Sequence, residues 1–122
     1  MSDTNALVES YLQVWNETDP AARRAAIQAV FAEDATYTDP LADVAGIDGL
    51  DAVIGAVQAQ FEGMRFSPTG LADSHHHTAR FGWALGANGA EPLVIGFDVA
   101  VLDEDGRIRA VYGFLDKVPA VL

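Results

Sequence analysis

The chain has 122 residues, half of them hydrophobic and none of them cysteine, with 18 acidic side chains against 7 basic ones for a net charge of −11. That length can bury a core unaided, and without cysteine there are no disulfides, no thiolate metal sites and no cysteine nucleophile. The acidity repels phosphate backbones and anionic lipid heads, so neither nucleic acid nor a membrane is an expected partner.

The polar start, Met1 to Asn5, lacks the basic-then-apolar layout of a signal peptide, and no apolar run is long enough to span a bilayer as a helix. The expectation is one cytoplasmic domain over residues 1–122. A first helix is predicted from about Thr4 to Asn16, with Leu7, Tyr11, Val14 and Trp15 at helical spacing on one face. Asp19-Pro20 then opens a second helix, an N-cap followed by a proline suited to the first helical position. That helix carries Ile27, Val30 and Phe31 inward and ends near Ala32. A short strand, Ala35 to Asp39, stops at Pro40.

A loop from Leu41 to Ile47 leads to a third helix capped by Asp48, with Leu50, Val53, Ile54, Val57 and Phe61 on one stripe. Beyond Gly63 the pattern changes to strands: Phe66 to Ser74, His75 to Leu85, Leu93 to Leu102 and Arg107 to Asp116. Asn88-Gly89 marks one turn and Asp103 to Gly106 another. Helices followed by a run of antiparallel strands predict an α+β fold, three helices covering one face of a curved sheet and enclosing a pocket.

Three residues break this pattern of core. Asp98 lies inside the apolar run Leu93 to Leu102, sharing a face with Val94, Gly96, Ala100 and Leu102. An acid there must find a partner, stay protonated or face a pocket. The plainer alternative is a salt bridge to Arg80 or Arg109, or a dimer contact. Asp39 ends its strand at a proline, either as a general base or simply as the cap of the turn. Tyr11 lies on the apolar stripe of the first helix, where its hydroxyl needs a partner.

The consecutive histidines are read on a strand, with His75 and His77 on one face, binding substrate or shuttling a proton, and His76 pointing away with Thr78 and Arg80. Two histidines at this spacing lack an evident third ligand, so no metal is expected. Trp15, Tyr37, Phe61, Trp83, Phe97, Tyr112 and Phe114 are candidate cavity-lining aromatics, and Arg80 would make the wall more polar. No phosphate-binding glycine loop or serine-nucleophile elbow is present.

The segments Tyr11-Leu-Gln-Val-Trp15, Phe31 to Pro40, Phe97-Asp98 and Asp103 to Ile108 resemble the NTF2-like superfamily, in its ketosteroid-isomerase and SnoaL-like polyketide-cyclase branch. The resemblance implies a cone-shaped α+β fold, a homodimer packed through the sheet and chemistry that needs no cofactor. It also implies roles: Asp39 as the proton-abstracting base, Tyr11 and a protonated Asp98 as donors to an enolate oxygen. The implied activity is isomerisation or cyclisation of a small, mostly apolar carbonyl compound. Two alternatives stay open. One is an epoxide-opening hydrolase, with a pocket aspartate and Arg80 positioning a water. The other is a small-ligand-binding module without chemistry.

Overall fold

Helix formation at the N-terminus follows the apolar stripe: Val8, Tyr11, Leu12, Val14 and Trp15 are all buried on α1 (Ser2–Asn16). The structure is a computed structural model and describes residues 2–120. Asn16 ends α1 by pairing with the backbone of Phe66, its Nδ2 donating to the carbonyl at 2.9 Å and its Oδ1 accepting from the amide at 2.7 Å. Gln58 caps the same helix end, donating to the carbonyls of Trp15 and Glu17. Arg23 holds Gln58 in turn and pairs with Asp51 at 2.7 Å. Carbonyls at a helix end need partners, and here Gln58 supplies one to Trp15 itself.

Asp19 caps α2 (Pro20–Val30) through the Ala22 amide, with Pro20 in the first turn as expected. Phe31 and Ala32 belong to β1 (Phe31–Asp39) rather than to the helix. The Leu41 to Ile47 loop contains a short strand, β2 (Ala42–Ala45), paired antiparallel to β1. Helix α3 (Gly46–Gln60) starts earlier than expected: Ala45 occupies the cap position, and Asp48 in the first turn pairs with Arg24. Val44 stands beside Gly49 and packs where a longer loop was anticipated.

Strands β3 (Arg65–His75), β4 (Thr78–Gly86), β5 (Val94–Leu102) and β6 (Ile108–Lys117) complete one six-stranded sheet in the order β2-β1-β6-β5-β4-β3. All pairings are antiparallel except β1 with β6, which is parallel. The sheet is thus mixed, where a wholly antiparallel one was expected. Parallel neighbours need a long connection, and the chain from Pro40 to Arg107, with α3 in it, runs between β1 and β6. Asp103 accepts from the Asp105 and Arg107 amides and shapes the β5–β6 turn, which closes at Gly106 with φ +82°.

The three helices cover one face of the curved sheet. Asp98, Gly96, Ala100, Val111, Phe81 and Trp83 point to that inner face. The opposite parity faces outward, including Tyr112 at 46% and Phe114 at 51% exposure. Phe114 stacks on Phe97 there, with ring centroids 5.1 Å apart. This outer face carries none of the pocket.

Candidate active site

Tyr11 reaches across from α1 to β5 and donates a hydrogen bond to Asp98 Oδ2 at 2.6 Å. Asp98 is only 3% exposed, and its Oδ1 has no partner. The alternative of a salt bridge to Arg80 or Arg109 is not formed; the phenol is its partner. Burial pushes the Asp98 carboxyl up to about 6; the hydrogen bond from Tyr11 and the Trp83 indole pull it back, and the Asp39 charge adds to the rise. The Tyr11 phenol is raised well above its usual range, first by burial and then by the Asp98 charge, so it remains a proton donor at neutral pH.

A second tyrosine–aspartate pair stands beside the first. Tyr37 donates to Asp39 Oδ2 at 2.6 Å, and Asp39 Oδ1 accepts from the amides of Leu41 and Ala42, each at 2.8 Å. Burial raises the Tyr37 phenol too, with the Asp98 charge as the next cause. Asp39 therefore does cap the turn after Pro40, as the plainer reading had it. A carboxylate has about four lone-pair sites. Three are used here, leaving one on Oδ2 for another proton. The alternation Ala35-Thr-Tyr37 turns Tyr37 inward and sets this geometry.

Gly113 lies between the two pairs. It is directly opposite Asp98 in the β5–β6 ladder. A Cβ on Gly113 would stand 2.8 Å from Asp98 Oδ1 and 3.3 Å from Asp39 Cβ. Glycine at this point keeps the sheet floor open where two carboxylates approach from the flanking strands. With strands about 4.8 Å apart, the backbones carrying the acids are separated by roughly 10 Å across β6.

The pocket above this floor holds about 540 Å³ of empty space, counting its open mouth. It is lined by Tyr11, Asp98, Tyr37 and Asp39 together with Trp15, Phe61 and Trp83, all anticipated from the sequence. Leu12, Leu41, Val57, Phe66, Leu85, Val94 and Leu115 also line it and were not anticipated. Their signal was available in parity and spacing: Val94 shares Asp98's strand face, Leu85 shares Trp83's, and Leu12 sits three residues before Trp15 on α1.

The remaining expected site residues lie elsewhere. His76 and His77 form the two-residue turn between β3 and β4, with His76 at φ +52°, and all three histidines are exposed. His75 ends β3 and accepts from Thr78 through its carbonyl, away from the cavity. Arg80 is exposed and pairs in register with Val99 of the outward parity, so it supplies no cation to the pocket. Tyr112 and Phe114 belong to the outer face, because the inward positions beside them are Val111 and Gly113. Among the described residues no histidine or carboxylate cluster has the makings of a metal site.

Fold and site together define an NTF2-like protein with a buried acid–phenol pocket. Residues 8–111 match the model of the SnoaL-like domain, and the chain belongs to that family. A SnoaL-like structure from Agrobacterium tumefaciens, named as a candidate isomerase, shares 37% identity and a TM-score of 0.90 over 95% of this chain and 99% of its own. A candidate polyketide cyclase from Sinorhizobium meliloti is 16% identical with a TM-score of 0.69, covering 88% of this chain and 93% of its own, and shares the fold. So does a de novo designed protein with a curved β-sheet, at 10% identity and TM-score 0.71 over 94% of this chain and 86% of its own. Architecture alone therefore carries no activity. No curated protein matches the sequence.

Proposed function

We propose that the protein is a cofactor-independent isomerase or cyclase that moves a proton next to a carbonyl in a small, mostly apolar substrate. The observation that carries this reading is the Tyr11–Asp98 hydrogen bond, 2.6 Å long and sealed in an apolar pocket with a second carboxylate across Gly113. Its support from comparison is the family match and the Agrobacterium relative named as a candidate isomerase.

In this mechanism Asp98 acts in its protonated form, favoured below about pH 6, and donates to the Tyr11 oxygen, which turns the Tyr11 proton toward the substrate carbonyl oxygen. Asp39 Oδ2 takes the proton from the carbon next to the carbonyl, using its remaining lone pair. The electron pair moves onto the oxygen, where donors already oriented in a low-dielectric site stabilise the enolate. Asp39 then returns the same proton to another carbon, or the enolate carbon attacks a second carbonyl carbon of the same molecule and closes a ring, the displaced π pair passing to that carbonyl's oxygen, which takes the proton back from Asp39. Protons and electrons balance within the substrate and the one carboxyl. Tyr37 holds Asp39 in place during both transfers.

The test uses cyclohex-3-enone, a minimal β,γ-unsaturated ketone whose conjugated product absorbs in the ultraviolet. Conversion by the wild type, reduced at least about a hundredfold in Asp39→Asn, is the expected result. Background-level conversion by the wild type, or full activity in Asp39→Asn, overturns the catalytic reading.

One observation favours the second reading, a ligand-binding module. Asp39 already accepts three hydrogen bonds, enough to explain it as a turn-forming residue. The epoxide-hydrolase reading loses its arginine, because Arg80 stands on the outer face. For that outer face we infer a second copy of the chain as partner: its exposed aromatics form an apolar patch on a molecule otherwise rich in acids.

A further inference from the structure

Three buried side-chain polar atoms among the described residues have no hydrogen-bond partner: Trp15 Nε1, Trp83 Nε1 and Asp98 Oδ1. All three belong to residues lining the one apolar pocket. Orphaned buried donors are uncommon, and each is expected to meet a partner in the working state of the molecule. The proposed chemistry uses Asp98, and it leaves both indole N–H groups unused.

Their positions are built rather than incidental. Trp15 is one turn beyond Tyr11 on α1, 5% exposed, and its neighbours Tyr37 and Phe66 hold the ring at centroid distances of 5.5 and 5.4 Å. Trp83 is 8% exposed and packs edge-on against Phe66. Its ring lies across β5 at Gly96, where a Cβ would come within 2.6 Å of Cζ2 and 3.1 Å of Cε2, the carbon that carries the N–H. Gly96 is thus what lets this indole lie flat on the strand two residues before Asp98. The Trp15 indole lies close enough to Tyr11, and the Trp83 indole close enough to Asp98, to lower the pKa of each, yet neither N–H forms a hydrogen bond there.

We propose that Trp15 and Trp83 are recognition residues, and that the ligand of this pocket carries a second oxygen acceptor held by an indole N–H, besides the carbonyl oxygen that meets Tyr11. This rests on the isomerase reading and narrows it: the preferred substrate is a doubly oxygenated compound, a hydroxy-ketone or dicarbonyl, turned over faster than the plain hydrocarbon ketone of the basic assay. An indole N–H only donates, so the second group must offer a lone pair. A site with buried donors discriminates strongly against an analogue that leaves them unpaired.

The chain has only two tryptophans, so a ¹H–¹⁵N spectrum contains two indole signals, assigned with Trp15→Phe and Trp83→Phe. The probes are 2-naphthol and matched pairs of naphthols bearing hydroxymethyl or ethyl at each of several ring positions, which differ in an oxygen but little in shape. The expected result is that at least one hydroxymethyl isomer binds about tenfold or more tightly than its ethyl twin and moves one indole proton downfield. That preference falls to near unity in the corresponding phenylalanine variant. Equal affinity within every pair, or a preference with both indole signals unmoved, overturns the proposal. The parent 2-naphthol separates the two readings. If it binds with dependence on Tyr11 while the pairs show no preference, only the indole assignment fails. If it does not bind, or Tyr11→Phe binds it equally, the oxyanion site itself falls and the indole assignment with it.

Discussion

Asp98 costs the fold stability at neutral pH, and the sign can be worked out. Its carboxyl is pushed up from 3.8 to about 6 in the folded chain. Between those values the folded state holds a proton that the unfolded state has lost. Stability is therefore greatest below about pH 4 as far as this group is concerned, and declines as pH rises through about 6. The loss amounts to about 3 kcal/mol at most, taking about 1.4 kcal/mol per unit. Asp98→Asn, which cannot ionise, is expected to melt several degrees above wild type at pH 7 and to lose most of that advantage at pH 4. Thermal melts at the two pH values check it; a destabilised Asn variant at pH 7 would contradict it. Tyr11→Phe has the opposite sign, because it strips Asp98 Oδ2 of its partner in a buried site. It should cost about 1–3 kcal/mol in chemical denaturation.

At the scale of elements, the two floor glycines make separate predictions. A Cβ at Gly96 meets the Phe114 carbonyl oxygen as well as the Trp83 ring, and backbone cannot swing away. Gly96→Ala should therefore destabilise by about 1–3 kcal/mol. At Gly113 the nearest obstacle is a carboxylate that can rotate, so Gly113→Ala should fold while displacing Asp98 from Tyr11 and weakening ligand binding. Denaturation and naphthol titration of the pair distinguish them; identical behaviour of the two variants would contradict the distinction.

The same scale explains which parts of the structure were legible. The helices and the β5–β6 hairpin follow from the stripe on α1, the Asp19-Pro20 start and the Asp103 to Gly106 turn, all local signals. Strand β2 had none, with four residues and a single β-branched side chain, and it exists because β1 offers it an edge. The His76-His77 turn carries neither glycine nor asparagine, the usual marks of a two-residue hairpin. It exists because the β3–β4 register places His75 opposite Thr78. Tyr112 and Phe114 show a different failure: aromatic identity pointed to the pocket, while strand parity already placed them outside. The Asp98–Tyr11 contact joins positions 87 residues apart, and only the resemblance to a known family made it foreseeable.

For the molecule as a whole, the −11 charge and the apolar outer sheet face pull in opposite directions. Repulsion between two acidic copies weakens with added salt, whereas apolar burial does not. If a second copy covers Phe97, Tyr112 and Phe114, sedimentation should show a dimer that tightens with salt, and Phe114→Glu should give a folded monomer. A wild-type monomer at all salt concentrations would refute that partner. None of Phe97, Tyr112 and Phe114 lines the pocket, so its chemistry is expected to survive in the monomer.

The central claim is that Tyr11 and Asp98 form a preorganised oxyanion site, and it is tested most directly by equilibrium titration with naphthols of graded acidity. These phenols mimic an enolate whatever the natural substrate is. The account predicts that wild type binds them and that Tyr11→Phe or Asp98→Asn weakens binding beyond about tenfold, or about 1.4 kcal/mol. Absence of binding, or equal affinity in wild type and both variants, would mean that the acid–phenol pair is structural and that the pocket performs no proton transfer.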